Sequence, residues 1–209
     1  MNMNVIHTLL IIGSGFILCQ SAIANTQCAN PAPGTCSFYP DCLEQRTTCG
    51  DSGYALGYGL RYCESFLQDV RFTERGVAWR DRVSSCLQRS LVRFTDPLRP
   101  APSCAEIRQK GFQAHVACYT QSDNSICDLY DSLEDIHAIL STIQLSDLLS
   151  EEGQQQVVAS AKTCLQQLST TAERQPDAVL AQKKQFWEAV MKNPLYTAKI
   201  CPKRTPDAD

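Results

Sequence analysis

The residues of this chain with the most chemistry in them are its cysteines. The sequence holds twelve of them. Cys19 lies in an apolar N-terminal segment, and setting it aside leaves eleven: Cys28, Cys36, Cys42, Cys49, Cys63, Cys86, Cys104, Cys118, Cys127, Cys164 and Cys201. Ten can pair within one chain, in far too many ways for spacing alone to choose among them. The eleventh is left for a bond to a second chain or for reaction as a free thiol. Metal chemistry has no support in the spacing, because a zinc site needs closely placed thiolates or imidazoles and the chain has neither Cys-x-x-Cys nor His-Glu-x-x-His. Nucleophilic catalysis needs a free thiol activated by a cation or a base, and Cys201 has no histidine near it in sequence.

Other reactive groups are sparse. Beyond residue 24 there are two histidines, His115 and His137, each alone on a helical stretch and each read as structural or solvated. Asp128, Asp131 and Asp135 form a carboxylate set of the kind a hard cation such as Ca²⁺ accepts. No EF-hand loop surrounds them, and they read as a solvated helix face. No Gly-x-Ser-x-Gly elbow occurs, and Gly57-x-Gly59 lacks the preceding strand that a phosphate loop requires. The chain therefore reads as a binding protein, not an enzyme, with no cofactor and no metal.

The elements that position these cysteines begin with a leader. Residues 1–24 read as a signal peptide: a short apolar stretch from Val5 to Leu18, then Ala22-Ile23-Ala24 as a small-x-small cleavage pattern before Asn25. The stretch is too short for a membrane span. Leu18 before Cys19 does not suit a lipid anchor, and an uncleaved interfacial helix is the alternative. Export to an oxidising compartment makes disulfides the default state of the cysteines.

Residues 25–53 read as loop, punctuated by Pro31, Pro33, Gly34, Pro40, Gly50 and Gly53, and held by disulfides more than by core burial. From Tyr54 the pattern is helical: Leu56, Leu60, Cys63, Phe66, Leu67 and Val70, then a break or bend at Gly76, then Val77 through Phe94. Pro97, Pro100 and Pro102 close that helix. Ser103-x-x-Glu106 is a capping box opening the next, which carries Ile107, Phe112, Ala114 and Cys118. Leu129, Leu133, Ile136, Leu140 and Ile143 form an apolar stripe at helical period. Ser150 caps a helix through Leu168, residues 169–176 form a polar linker, and a last helix runs from Asp177 to a stop at Asn193-Pro194. Strand signals are almost absent. The expected fold is all-α: a disulfide-stapled bundle of five or six helices behind a loop-rich, cysteine-dense N-terminal segment. Residues 25–170 are expected to form the stapled domain, and 171–209 a C-terminal helix and tail for dimerisation.

The formal net charge of -3 argues against nucleic acid as the main partner. Charge is segregated, however. Residues 61–110 are rich in arginine, 123–152 are acidic, and the end is basic again from Lys183 to Arg204. Such runs read as solvated helix faces or, alternatively, as a contact surface or cation-attracting patch.

The cysteine spacing resembles that of the stanniocalcins over roughly residues 28–201. All eleven cysteines find a counterpart in that family's order. Cys63-Glu64-Ser65-Phe66-Leu67 is similar to the family's Cys-Lys-Ser-Phe-Leu segment, and Phe72, Gly76, Ala78 and Cys86 follow at family-like offsets. Cys42-Leu43-Glu44 with Thr48-Cys49, and Cys104 to Cys118 with Tyr119, match further segments. The resemblance implies the bridges Cys28–Cys42, Cys36–Cys63, Cys49–Cys104, Cys86–Cys118 and Cys127–Cys164, with Cys201 as the intermolecular cysteine of a secreted homodimer. It further implies hormone-like signalling in calcium and phosphate homeostasis, with a protein receptor or an extracellular protease as partner. The chain departs from the family where vertebrate members carry an N-glycosylation sequon: here Gln45-Arg46-Thr47-Thr48 stands in its place, and no asparagine satisfies Asn-x-Ser/Thr. The family's long basic or His-rich tails are also missing.

Overall fold

A computed structural model describes residues 27–121, 125–171 and 176–193. The expected leader, residues 1–24, and Cys201 lie outside the described residues. Two π-helical turns come first, Tyr39–Glu44 and Tyr54–Leu60. The second continues directly into helix α1, Arg61–Gln68. Helix α2, Glu74–Leu91, ends in a 3₁₀ turn at Val92–Phe94, and α3 spans Cys104–Tyr119. After a 3₁₀ turn at Ile126–Asp128 come α4, Leu133–Thr142, the short α5, Leu145–Leu149, α6, Glu151–Thr171, and α7, Asp177–Lys192. No strand occurs among the described residues. The fold is all-α and stapled by disulfides.

Helix starts follow from capping side chains, which satisfy backbone N–H groups that have no partner inside the helix. Thr73 Oγ1 accepts from Gly76 N and opens α2. At α3 the full capping box forms: Ser103 Oγ accepts from Glu106 N, and Glu106 Oε2 accepts from Ser103 N at 2.7 Å. Ser132 Oγ opens α4 through Asp135 N, and Ser150 Oγ accepts from Gly153 N at the start of α6.

Four expectations are corrected. The cysteine-dense segment is not merely loop, because Phe38, Tyr39 and Leu43 are buried and belong to a core cluster with Tyr54, Leu91 and Ile107. Tyr39, Cys42 and Leu43 fall at i, i+3 and i+4, so one helical turn buries all three, and Pro40 is tolerated because the first-turn N–H is free anyway. The break between the first two helices lies at Asp69–Thr73, not at Gly76, which sits in the first turn of α2. The stripe from Leu129 to Ile143 is not one helix. Leu129 N and Ser132 N close consecutive turns onto Ile126 and Leu129 carbonyls, so α4 starts only at Leu133, leaving Leu129 buried at 1 % exposure and Leu133 at 62 %. Helix α6 runs through Thr171, past the expected linker start, since extending an established helix is far easier than nucleating one.

Three adjoining clusters make the core. The first joins the cysteine-dense segment to α2 and α3. The second gathers Phe72, Trp79, Val83, Leu129, Ile136 and Ile139 between α2 and α4. The third sets Ala161 of α6 against Trp187 and Val190 of α7 around Cys127 and Cys164. Gly111 makes one join possible, because a Cβ there would overlap the Tyr54 ring packed on α3.

One buried carboxylate ties the N-termini of two helices together. Asp135, with no exposed surface, accepts from Thr73 N at 2.9 Å, Thr73 Oγ1 at 2.7 Å and Ser132 Oγ at 2.7 Å. Its charge lies in the first turn of α4 and beside that of α2, where the helix dipoles favour an anion. Gly76 leaves the space for it, since a Cβ at that position would overlap Asp135 Oδ1. Asp135→Ala is expected to destabilise the oxidised protein by about 3 kcal/mol, because it strips charge-assisted acceptors from a part-buried amide and two part-buried hydroxyls. Urea denaturation without reductant measures this, and a loss under about 1 kcal/mol would contradict the assigned role.

Candidate functional site

Ten of the cysteines lie within the described residues, and the structure joins all ten. Cys28–Cys42 closes a short loop within the N-terminal segment, and Cys36–Cys63 fastens that segment to α1. Cys49–Cys104 ties it to the first residue of α3. Cys86–Cys118 locks α2 to α3, and Cys127–Cys164 locks the turn before α4 to α6. The Cα–Cα spans run from 5.2 to 5.9 Å, within the ordinary range for a bridge. These are the same five pairs that the stanniocalcin resemblance implies. The loop closed by Cys49–Cys104 spans 55 residues, and a cross-link over such a length is worth about 4 kcal/mol in the chain-entropy account.

The segregated charges lie on partly solvated faces, as expected, and at three places they also meet as partners. Arg61 meets Asp147 at 2.5 Å, Arg75 meets Asp131 at 2.6 Å and Arg108 meets Glu152 at 3.0 Å, so the arginine-rich segment pairs with the acidic one across the fold. All six side chains are partly exposed, which limits each pair to about 0–1 kcal/mol. Their effect is to set helix register more than to supply stability. Tyr62 strengthens the first pair: its hydroxyl donates to Asp147 and accepts from Gln144 N at 3.1 Å, fixing α5 against α1. Burial, together with the Asp147 hydrogen bond, pushes the Tyr62 phenol up to about 12. From the basic C-terminal run, Lys183 is buried, with its ammonium on Asp128 at 2.9 Å and 5.4 Å from the centre of the Tyr130 ring.

The three carboxylates read as one cation set therefore point to three different partners. Asp128 goes to Lys183, Asp131 to Arg75, and Asp135 to the two helix starts. Asp128 and Asp131 keep the exposed side chains expected of the set, and Asp135 is buried. Among the described residues no three His, Cys, Asp or Glu side chains converge on one point. Sequence reading missed Asp135 because its partner Thr73 is remote in the chain, and it missed Lys183 because a buried lysine has no local signature.

His115 is a core residue. Its ring packs among Tyr54, Tyr58, Phe112 and Tyr119, with Nδ1 2.8 Å from the Gly111 carbonyl one turn back on α3. Burial disfavours the charged imidazolium and brings its pKa down to about 4. The ring completes an aromatic stack with Phe112 and the three tyrosines.

No family model, curated protein or solved structure matches this chain. The arrangement of the bridges and the residues they hold must therefore carry the functional reading.

The buried imidazole has a measurable consequence. Unfolded, a histidine takes a proton near pH 6.5; folded, His115 resists until about pH 4. The unfolded state thus binds more protons in that window, so stability is intact above pH 6.5 and falls as the pH drops toward 4. The expected loss is roughly 3 kcal/mol. Urea midpoints of the oxidised protein between pH 7 and pH 4 check it. His115→Gln should flatten the profile in this range, and a wild-type profile already flat there would exclude a neutral buried His115.

Proposed function

We propose that this chain is a secreted, stanniocalcin-like regulatory protein that works by binding, as a homodimer joined through Cys201. The observation that carries this reading is the joint cysteine register. Eleven cysteines follow the leader in the family's order, and five bridges consume ten of them in the family's pairing. Cys201 is then the one cysteine beyond the leader without an assigned intrachain partner, which suits a bond across a two-fold axis, the commonest symmetry of a closed assembly. Five bridges suit an oxidising, extracellular setting. No helix among the described residues is long and apolar enough to cross a membrane.

In this reading the ten paired cysteines hold a rigid surface for a protein partner, either a receptor or an extracellular protease, and no catalytic step is involved. Hormone-like action on calcium and phosphate balance rests on the resemblance alone. A second reading, a secreted binding or effector protein without hormone activity or a protease inhibitor, is favoured by one specific observation. Where the vertebrate family carries a glycan, Arg46 Nη2 donates to the Arg99 carbonyl at 2.5 Å and Thr47 Oγ1 to the Pro102 carbonyl at 3.1 Å. That edge is used to fasten the loop before α3.

The test is the mass of the exported protein with and without reductant, beside a Cys201→Ser variant. The expected result is a doubled mass without reductant that collapses to the monomer in the variant. A monomer with one titratable thiol would overturn the covalent dimer. Hormone-like activity of the pure dimer on receptor-bearing cells would favour the first reading, and its absence the second.

A further inference from the structure

The interior is not fully packed. A cavity of about 100 Å³ lies between α4, α5, α6 and α7, and a second of about 80 Å³ lies between α1, α2, α3 and α4. Tyr58, Tyr119, Ile126, Ile139 and Ile143 line both, so the two voids adjoin across these five side chains. Each is too large to be a packing defect of ordinary size in a close-packed interior, and the larger approaches the volume at which an apolar cavity accepts a benzene-sized guest.

The larger cavity is not purely apolar. Ile136, Leu140, Leu148, Trp187 and Val190 supply hydrocarbon and ring surface, but Gln156 and Ser160, one turn apart on α6, also line it. Ser160 is 5 % exposed, and its Oγ has no hydrogen-bond partner. The Gln156 Nε2 is likewise buried and unpartnered. Leaving such groups bare is expensive, and native folds rarely do so without a reason. Among the other polar wall residues, Asp147 is already committed to Arg61 and Tyr62 and the Trp187 indole N–H to the Cys127 carbonyl, while Tyr58 and Tyr119 add phenol rings. Asp147, Gly153 and Gln156 are only half-buried, so this wall, between α5 and α6, is the side nearest solvent.

We propose that the α4–α7 cavity is a binding site for a small neutral molecule, mainly apolar and carrying a single hydroxyl or carbonyl oxygen. The hydrocarbon walls take the apolar body. Gln156 Nε2 donates to the oxygen, and the Ser160 hydroxyl donates to it or accepts from it. The nearby Asp147 carboxylate disfavours an anionic head group, and the cavity together with the adjoining void limits the guest to roughly the size of a substituted single ring. This site is independent of Cys201 and of the protein-binding reading above.

The experiment is calorimetric titration of the intact, oxidised protein with para-cresol and with toluene, which has the same ring and methyl group but no hydroxyl. Para-cresol is expected to bind with a dissociation constant of roughly 0.1–1 mM, as suits so few atoms, and toluene about tenfold more weakly, because it leaves the polar pair unsatisfied. Ser160→Ala should bring para-cresol toward the toluene value while leaving toluene unchanged. Val157→Phe, which fills the cavity from α6, should abolish both. Unchanged circular dichroism verifies that each variant is folded, and the ratio of the two probes on the wild type requires no variant at all. Absence of saturable binding for either probe would overturn the site, and would leave Ser160 and Gln156 to ordered water. Equal affinities for the two probes, unaltered by Ser160→Ala, would overturn the role of the polar pair.

Discussion

Five covalent cross-links set what the rest of this molecule can tolerate. They run within the N-terminal segment, from it to α1 and α3, between α2 and α3, and from the turn before α4 to α6. Because a bridge acts chiefly by restricting the unfolded chain, it stabilises the fold without requiring the local interior to be well packed. Features that would endanger an uncross-linked domain are accordingly present. Two π-helical turns sit in the N-terminal third, adjoining cavities lie between the helices, and α6 holds a buried hydroxyl and amide without partners. Cys86–Cys118 joins two of the helices around the smaller cavity, and Cys127–Cys164 joins the turn before α4 to α6, one wall of the larger.

Within that frame, polar groups decide orientation. Asp135 gathers the starts of α2 and α4, and Tyr62 with Asp147 and Arg61 fixes α5 against α1. These two differ in kind. The first is a buried charge whose acceptors are all matched to donors, so losing one partner is costly. The second lies near the surface, where water competes, and contributes geometry more than energy. The segregation of arginine and acid along the chain is the one-dimensional trace of this arrangement: unlike charges that are distant in sequence become neighbours in the fold.

What the sequence disclosed was whatever is decided within a few residues. The Ser103–Glu106 capping box and the Ser150 cap form as read, since donor and acceptor lie within one turn. The stop at Asn193 is likewise local. Periodicity failed where tertiary contact overrides it: Leu129 continues the apolar stripe of α4 yet sits in a turn, buried by the second core cluster. Composition failed for residues 25–53, whose prolines and glycines suggest loop while Phe38, Tyr39 and Leu43 bury a helical turn. The pairing of the ten cysteines was open to spacing alone and came only through the family resemblance. The cavity residues Ser160 and Gln156 gave no signal, because a polar side chain on a helix is unremarkable until its burial and lack of partners are known.

The proposed site depends on a helix that none of the five bridges reaches. Trp187 and Val190 of α7 form part of the cavity wall, and no bridged cysteine lies on α7. A guest in the cavity gains contacts with α7 only when that helix is seated on α6, so binding favours the seated state by mass action. The proposed dimer through Cys201 is a separate reading and makes no use of these contacts.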